Sequence, residues 1–300
     1  MIKNLVSILI PVYNRVSLVS ETIDSAINQT YKNIEIIIVD NCSTDGTWEL
    51  LQKHIKIDSR IRLFRNNENI GPVRNWERCI QEAKGEYAKI LFSDDLIKDT
   101  FIEKTIQMFD NETAFVLTST EVFGSKNNCG NLCFKKSEYS SKEYLHEILL
   151  YETINFPVSP GCALFRLIDL KEALLVDIPN CLNLEFSKFG AGNDLLLFLI
   201  TATKYPKINV VTDVESFFRA HENSFSISNN LDTYYSHSKY YFITNYFKLI
   251  LSKYEVKNSI TSIYKEKTIS IKNIRNILLN IPFCFKYILR KKFKFLKIEI

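Results

Sequence analysis

Two adjacent carboxylates, Asp94 and Asp95, come one serine after the apolar segment KILF and are the residues of this sequence best suited to chemistry. Carboxylates beside an apolar strand are costly to bury unless a positive charge neutralises them. Their oxygen atoms suit a hard divalent cation, Mg²⁺ or Mn²⁺, which is typically shared with substrate phosphates. The pair therefore predicts a metal site that binds a diphosphate. The alternative is a helix N-cap, because aspartate is favoured there and Asp99 follows closely.

A third carboxylate, Asp40, ends the aliphatic run IEIIIV. In nucleotide-binding folds, acidic residues at strand ends accept hydrogen bonds from the nucleoside. Asp40 is therefore a candidate nucleotide contact. It is equally suited to begin a turn through NCSTDG, where Asp45-Gly46 is a turn signal, and the two roles are compatible.

The first 120 residues alternate between two kinds of segment. Apolar runs predict strands at 5–11, 34–40, 61–66, 87–95 and 113–120, and apolar residues at helical spacing predict helices at 17–30, 46–55, 72–83 and 99–110. This alternation favours an α/β fold with a doubly wound, mostly parallel sheet flanked by helices. Ligands bind beyond the carboxyl ends of the strands in such sheets, so Asp40, Asp94 and Asp95 are expected along one edge.

The second half of the chain is less regular. Its patterns predict a helix near 141–151, a strand at 162–166, a buried helix at 193–205, a strand at 208–221 and an aromatic-rich helix at 234–254.

Composition favours a globular intracellular protein. Apolar residues make up 46% of the 300 residues and charged residues 24%. The seven cysteines contain no CxxC pair, which predicts free thiols in a reducing compartment rather than a zinc site. The apolar run from Val6 to Val12 is too short for a signal sequence, and no segment approaches the roughly 18 apolar residues of a membrane span. We expect a cytoplasmic location.

Three blocks in a fixed order, VSILIPVYNR, IIIVDNCSTDGT and NENIGPVRNWERCIQEAKGEYAKILFSDD, resemble the family 2 glycosyltransferases, which have the GT-A nucleotide-sugar fold. The later segments GCALFR, GAGNDLLL and RAHENSFSIS look like that family's acceptor-side and closing segments. The resemblance implies a GT-A-like catalytic domain over residues 1–228. It also implies an inverting, hexosyltransferase-type enzyme of surface polysaccharide or lipopolysaccharide biosynthesis. The expected donor is a nucleotide-diphosphate sugar, with a UDP-sugar favoured, and the expected acceptor is a glycan or lipid-linked hydroxyl.

The resemblance assigns roles to individual residues. Residues expected at the donor are Pro11, Val12, Tyr13, Arg15, Asp40, Arg74, Asp94 and Asp95. The expected metal ligands are Asp94, Asp95 and His221, with Mg²⁺ or Mn²⁺ as cofactor. Asp194 is the expected general base, although a helix N-cap before LLLFLI explains the same residue.

These roles suit sugar transfer as chemistry. Charge develops on the leaving diphosphate, where a cation stabilises it, and a positioned carboxylate removes the proton of the acceptor hydroxyl. One displacement inverts the anomeric carbon, so an α-linked donor gives a β-linked product.

The sequence departs from the family pattern at three places. Phe92 stands where the fuller metal motif has another aspartate, Asn193 replaces the glutamate before the base, and Asn41-Cys42 follows Asp40 in place of Asp-Gly. These departures keep open a second hypothesis, a catalytically inactive nucleotide-sugar binder or scaffold in a glycan-assembly complex. A sugar-nucleotide nucleotidyltransferase is disfavoured, because PVYNR lacks the glycine-rich loop that such enzymes need.

The C-terminal region, residues 229–300, is predicted to be a helical basic extension. From His221 to Ile300 there are 14 Lys and Arg residues against 5 Asp and Glu. Residues 273–300 interleave basic with large apolar residues, a pattern typical of helices that bind an anionic membrane surface. A solvated helix packed on the domain and a nucleic-acid patch are the alternatives. We expect peripheral association with the inner face of the plasma membrane and no nucleic-acid partner.

Overall fold

The computed structural model describes residues 1–124, 131–150, 156–180, 182–220 and 231–253. Within these residues one sheet contains all nine strands. The strands are β1 Ile2–Val12, β2 Ile34–Asp40, β3 Ile61–Arg65, β4 Gly85–Ile90, β5 Leu96–Ile97, β6 Thr113–Phe123, β7 Glu138–Ser140, β8 Ala163–Arg166 and β9 Lys207–Arg219.

Helices cover both faces of this sheet. They are α1 Val19–Ile27, α2 Thr47–His54, α3 Pro72–Glu82, α4 Phe101–Gln107, α5 Ser141–Leu150, α6 Leu167–Ala173, α7 Phe186–Phe189, α8 Asn193–Ala202 and α9 Asp232–Lys253. A short 3-10 turn, Pro160–Cys162, precedes β8.

The sheet is mixed but mostly parallel, which confirms the predicted fold class. The strand order is β3-β2-β1-β4-β8-β6-β9-β5, with β7 beside β9. β1 pairs in parallel with β2 and β4, and β2 with β3, whereas β8 runs antiparallel between β4 and β6. Val12 is opposite Asp40, and Asp40 is opposite Arg65, so these strands end at one edge of the sheet.

Side chains that alternate along the central strands pack into two hydrophobic cores, one on each face of the sheet. Ile8 and Ile10 of β1 are fully buried against α1, while Leu9 between them is fully buried on the other face. All seven residues of β2 are buried, as expected for a strand covered on both faces. This arrangement leaves the strand ends and their loops to form a site.

The strand predicted at 87–95 is shorter than expected. β4 ends at Ile90, and residues 91–95 reverse the chain, with the Asp95 amide donating to the Phe92 carbonyl at 3.0 Å. The reversal occurs because Leu96 and Ile97 pair antiparallel with Phe217 and Ser216 of β9. Asp94 and Asp95 therefore occupy a turn between two strands.

The predicted helix at 234–254 corresponds to α9, which packs on α8 and buries Phe242 in the same core as Leu196. The boundary at residue 228 stays a prediction. Residues 273–300 lie outside the described part of the chain. None of the described helices has both the length and the apolar character that a membrane span requires.

Candidate active site

Hydrogen bonds lock together the loops that follow β1 and β2. The Asn14 amide donates to Ser43 Oγ at 2.9 Å, and the Thr44 amide donates to Asn14 Oδ1 at 2.9 Å. Asn14 has a φ of 50°, a left-handed conformation that asparagine tolerates better than most residues. The Arg15 amide donates to Thr47 Oγ1 at 2.9 Å, which ties the same loop to the start of α2. The two loops therefore form one unit beyond the strand ends.

Asp40 is fully buried at the end of β2. Its Oδ2 accepts from the Ser43 amide at 3.1 Å and lies 3.2 Å from Arg65 Nε. Its Oδ1 is buried with no hydrogen-bond partner among the described residues. Asp40 thus begins the turn as predicted from NCSTDG, and still has one oxygen free to accept a further hydrogen bond.

A cluster of amide side chains lies beside Asp40 and was not predicted. Asn41 Oδ1 accepts from Asn66 Nδ2 at 2.9 Å and from the Ile70 amide at 3.1 Å, and Asn41 Nδ2 donates to Asn69 Oδ1 at 2.8 Å. Asn41 therefore fixes the loop before α3, a role that the aspartate of the family pattern could not fill with the same donors. A cleft of about 410 Å³ opens beside this loop, lined by Asn69, Ile70, Gly71, Pro72, Ser187 and Lys188.

Asp94 and Asp95 are held by both neighbouring elements. Asp94 Oδ2 lies 3.4 Å from Arg15 Nε, which joins the turn to the β1 loop. Asp95 Oδ1 accepts from the Arg219 amide at 2.9 Å, and Arg219 Nε donates to the Asp94 carbonyl at 3.0 Å. Arg219, at the end of β9, is a residue of this candidate site that sequence reasoning missed. Its only signal was its place in the segment RAHENS.

The electrostatics of Asp95 suit a bound cation. Burial and the adjacent Asp94 carboxylate raise the pKa of Asp95 to about 7, although the Arg219 hydrogen bond and the Lys89 charge act in the opposite direction. A divalent ion would reverse this shift by favouring the ionised form. Within the described ranges, no group of three or more His, Cys, Asp or Glu side chains could hold a metal. His221, the third predicted ligand, lies outside those ranges.

Lys89 is fully buried behind the carboxylate pair, and its role was not predicted. Its ammonium donates to the Gly161 carbonyl and lies 4.6 Å from the centroid of the Phe101 ring. Burial lowers the pKa of Lys89 to about 7. The sequence signal is a lysine inside the otherwise apolar segment KILF.

Asp194 is the second residue of α8, whose N-cap is Gly192, so the N-cap alternative is wrong and the role of general base stays a prediction. Its Oδ1 accepts from the Gly192 amide at 2.8 Å and from the Leu195 amide at 2.7 Å. Its Oδ2 accepts from the Tyr235 hydroxyl at 2.8 Å. Burial raises the pKa of Asp194 to about 7. A carboxyl group with a pKa near neutrality suits a general base.

Trp76 connects the Asp194 loop with the carboxylate turn. Its ring lies 5.5 Å from the Phe92 ring, and a Cβ on Gly190 would lie 2.6 Å from its Cη2 atom. Only glycine fits there, and its φ is 75°. Phe92, a departure from the family pattern, therefore packs against the Trp76 ring, which also contacts Gly190.

Asn193, the other departure before the base, has a structural role. It is fully buried, and its Nδ2 donates to the Leu175 carbonyl at 2.6 Å and the Val176 carbonyl at 3.0 Å. A glutamate could not donate these hydrogen bonds.

The remaining predicted donor residues differ in their surroundings. Pro11 and Val12 are buried in β1, whereas Tyr13 is 40% exposed beyond its end. Arg74 is directed toward Asp177, with Nη2 and Oδ2 2.8 Å apart on the surface. The Arg15–Asp94 ion pair joins the β1 loop to the Asp94-Asp95 turn, Ser43 joins that loop to Asp40, and Arg74 pairs with Asp177 instead.

Comparisons with known proteins agree with this geometry. The family model described as Glycosyl transferase family 2 matches residues 7–173. A putative teichuronic acid biosynthesis glycosyltransferase of Bacillus subtilis, TuaG, is 38% identical over 117 residues, 39% of this chain and 46% of that protein. The Escherichia coli protein WfaP, named as a UDP-Glc:alpha-D-GlcNAc-diphosphoundecaprenol beta-1,3-glucosyltransferase, is 44% identical over 111 residues, 37% of this chain and 43% of that protein. The matched region therefore spans less than half the length of these curated relatives.

Solved structures share the fold. Staphylococcus aureus TarS 1–349, solved in complex with UDP-GlcNAc, superposes with a TM-score of 0.62 at 17% identity over 92% of this chain and 81% of that one. The mannosyltransferase PcManGT of Pyrobaculum calidifontis, solved with GDP-Man and Mn²⁺, gives a TM-score of 0.51 at 14% identity over 92% and 83%. The likeness to TarS shows the same arrangement of a mixed sheet between helices, which is the GT-A fold. The chain belongs to glycosyl transferase family 2.

Proposed function

We propose that this chain transfers a sugar from a nucleotide-diphosphate sugar to a hydroxyl group of a glycan or lipid-linked acceptor, with inversion at the anomeric carbon. The observation that carries the proposal is the joining of the β1 loop, the β2 loop and the Asp94-Asp95 turn. Asn14, Ser43, Arg15 and Asp94 make the connecting contacts. This unit presents carboxylates and a tyrosine beyond the strand ends, where ligands of such sheets bind.

Donor binding follows from the same residues. The free Oδ1 of Asp40 is available to accept a hydrogen bond from the nucleoside, and the exposed Tyr13 ring is available to pack on a base. Asp94 and Asp95 would hold Mg²⁺ or Mn²⁺, since both supply oxygen atoms. Burial and the adjacent Asp94 carboxylate disfavour the ionised form of Asp95, which a bound cation would favour. When bound, the cation supplies positive charge for the diphosphate leaving group.

Asp194 is the base of the proposed reaction. Two backbone amides fix its Oδ1, so Oδ2 is the oxygen that would accept the proton of the acceptor hydroxyl. The acceptor oxygen forms a bond with the anomeric carbon as the bond to the diphosphate breaks. One displacement of this kind gives inversion.

The names of relatives support the class of donor and acceptor. WfaP is named for transfer from UDP-Glc to a diphosphoundecaprenol-linked sugar, and TuaG for teichuronic acid biosynthesis. We therefore propose a UDP-sugar as donor and a surface glycan or its lipid-linked precursor as acceptor.

The test is a screen of UDP-, GDP- and dTDP-sugars with Mn²⁺ for an increase in melting temperature, since a bound donor stabilises by mass action. The stabilising donor is then incubated with acceptors, and NMR gives the configuration of the new linkage. A β-linked product from an α-linked donor supports the proposal. Binding without transfer to any acceptor would favour the inactive binder, and absence of binding by every nucleotide sugar would contradict both hypotheses.

We also propose that residues 229–300 form an extension of the catalytic domain that ends in a membrane-binding segment, which would place the protein at the inner face of the plasma membrane. The full chain should pellet with vesicles containing anionic lipid, and a variant carrying Lys291→Glu, Lys292→Glu and Lys294→Glu should not. Each basic residue near such a surface contributes about 1 kcal/mol, so the triple reversal has a large effect. Equal pelleting of both proteins would contradict the proposal.

A further inference from the structure

Helix α9 packs directly against the backbone that precedes Asp194. Gly192 has a φ of 88°, and a Cβ placed on it would lie 2.2 Å from Ser238 Oγ and 3.0 Å from the Tyr234 carbonyl oxygen. Both contacts come from α9, and no side chain larger than hydrogen fits between them. The ring of Tyr234 also packs on Phe186, with centroids 5.1 Å apart. The helix and the loop are therefore in close contact.

The two oxygens of Asp194 have different partners. Oδ1 is saturated by the amides of Gly192 and Leu195, which hold the carboxylate plane against the start of α8. Among the described residues, Oδ2 accepts one hydrogen bond, from the Tyr235 hydroxyl at 2.8 Å. A carboxylate oxygen can accept two hydrogen bonds, so Oδ2 retains capacity for one more donor. That remaining capacity is what a base needs for the hydroxyl of an acceptor.

In the part of the chain that the structure describes, the side chains around the Asp194 carboxylate are phenols rather than cations. Among the described residues, the groups that face Asp194 from neighbouring helices are the Tyr235 phenol of α9 and the Tyr144 phenol of α5. Tyr144 is fully buried, and the Asp194 charge contributes to raising its pKa. No Lys or Arg side chain in the described ranges forms an ion pair with Asp194. The Tyr235 hydrogen bond is therefore the main side-chain interaction that favours the ionised form.

We propose that Tyr235 is a positioning residue for the reaction: it orients Oδ2 of Asp194 and keeps that oxygen ionised, so that helix α9 completes the acceptor side of the active site. The inference rests on the proposed function, in which Asp194 is the base. In the proposed step, the acceptor proton moves to Oδ2 while Tyr235 retains its own proton and continues to donate. The acceptor oxygen bonds to the anomeric carbon, and the electron pair of the broken bond leaves with the diphosphate.

The first test needs no substrate. The full chain is labelled with ¹³C at the aspartate carboxyl carbons, the Asp194 signal is assigned from its loss in Asp194→Asn, and its titration is followed by NMR. In Tyr235→Phe the midpoint should rise above that of the wild type, because the group that favours the ionised form is gone. Tyr234→Phe is the matched control, since it removes a neighbouring hydroxyl from the same helix, and its midpoint should equal that of the wild type.

The second test follows kcat/KM against pH, using the donor and acceptor pair that the screen identifies. On the acidic side of the profile, Tyr235→Phe should lose about tenfold in kcat/KM for each unit by which the midpoint rises. Stabilisation by UDP with Mn²⁺ should be unchanged, because Tyr235 is not part of the donor side. A merely structural role would leave the position of the acidic limb unchanged.

The outcomes separate this inference from the proposed function. Equal Asp194 midpoints in wild type and Tyr235→Phe would overturn the inference and leave the proposed function intact. A raised midpoint with an unshifted kcat/KM profile would also overturn it, since Tyr235 would then not act through the base. Transfer by Asp194→Asn at the wild-type rate would remove the base assignment itself, and the inference with it.

Discussion

The carboxylates proposed to bind the donor (Asp40, Asp94 and Asp95, the donor edge) and the proposed base Asp194 (the acceptor edge) have different partners. At the donor edge, Arg65 Nε lies 3.2 Å from Asp40 and Arg15 Nε 3.4 Å from Asp94. Asp95 differs from these two, because burial raises its pKa to about 7, as it does for Asp194. At the acceptor edge, Asp194 has only backbone amides and a phenol as described hydrogen-bond partners.

This difference matches the two tasks of sugar transfer. A diphosphate site needs positive charge that stabilises the leaving group. A base needs a carboxylate whose pKa is near neutral pH, and burial without a neighbouring cation raises the pKa toward that range. The two edges therefore predict different consequences when their residues are changed.

The largest expected effect is at the acceptor edge. Asp194→Asn keeps the shape of the side chain but cannot accept a proton, so transfer should fall by about 10²- to 10⁴-fold. Stabilisation by UDP-sugar with Mn²⁺ should persist, because the donor edge is unchanged. Glu185→Gln, at an exposed carboxylate near α7, is the control and should transfer normally. Loss of donor binding in Asp194→Asn would break the separation of the two edges.

A smaller effect is expected on stability at the donor edge. Asp40→Ala removes the acceptor of the Ser43 amide and the partner of Arg65 at a fully buried position. The free energy of unfolding should fall by about 2–3 kcal/mol, measured by urea denaturation. Asp213→Ala removes a 64% exposed partner of Lys104 and should cost much less, because water screens exposed ion pairs. Equal losses of unfolding free energy in the two variants would show that burial does not strengthen the interactions of Asp40.

Lys89 gives the donor edge a distinctive pH dependence. Its pKa is lowered to about 7 in the folded chain, so between about pH 7 and pH 10 the unfolded chain binds one more proton there than the folded chain. Stability should therefore rise with pH in this window for the wild type relative to Lys89→Met. Urea denaturation of both proteins at several pH values measures the difference. A constant difference would mean that Lys89 stays charged in the folded chain.

The smallest effect on stability is expected for the ion pair that joins the β1 loop to the Asp94-Asp95 turn. Arg15→Gln should lower the free energy of unfolding by about 1 kcal/mol or less, because both partners are partly exposed. The loss of UDP affinity, expressed as a free energy, should exceed the loss in the free energy of unfolding, since Arg15 positions the Asp94 carboxylate. Arg78→Gln, which breaks the Arg78–Glu82 pair within α3, should leave UDP affinity unchanged. Equal UDP affinity in all three proteins would remove Arg15 from the donor edge.

The two edges also differ in how far the sequence predicts them. The donor edge is encoded locally: β2 was predicted at its observed bounds, and the pattern of an apolar strand followed by a carboxylate located Asp40. Contacts between distant segments gave no local signal. Leu96 pairs with Phe217, and this pairing ends β4 early and brings Arg219 to the turn.

The arrangement around Asp194 depends even more on contacts between residues that are far apart in the sequence. Asp194 was found only through the resemblance of its segment to the family, and Tyr235, 41 residues later, has no pattern that would connect it with a carboxylate. Lys89 was missed for a similar reason. Its partner is the backbone carbonyl of Gly161, which carries no sequence information.

The most direct test of the account is the binding of UDP to the full chain by calorimetry, with and without Mn²⁺, in wild type and Asp95→Asn. Asparagine retains the Oδ1 that accepts from the Arg219 amide, so the turn should keep its shape. We predict that Mn²⁺ strengthens UDP binding to the wild type by at least about tenfold, and that Asp95→Asn abolishes this gain. Equal affinity with and without the metal in both proteins would contradict the account.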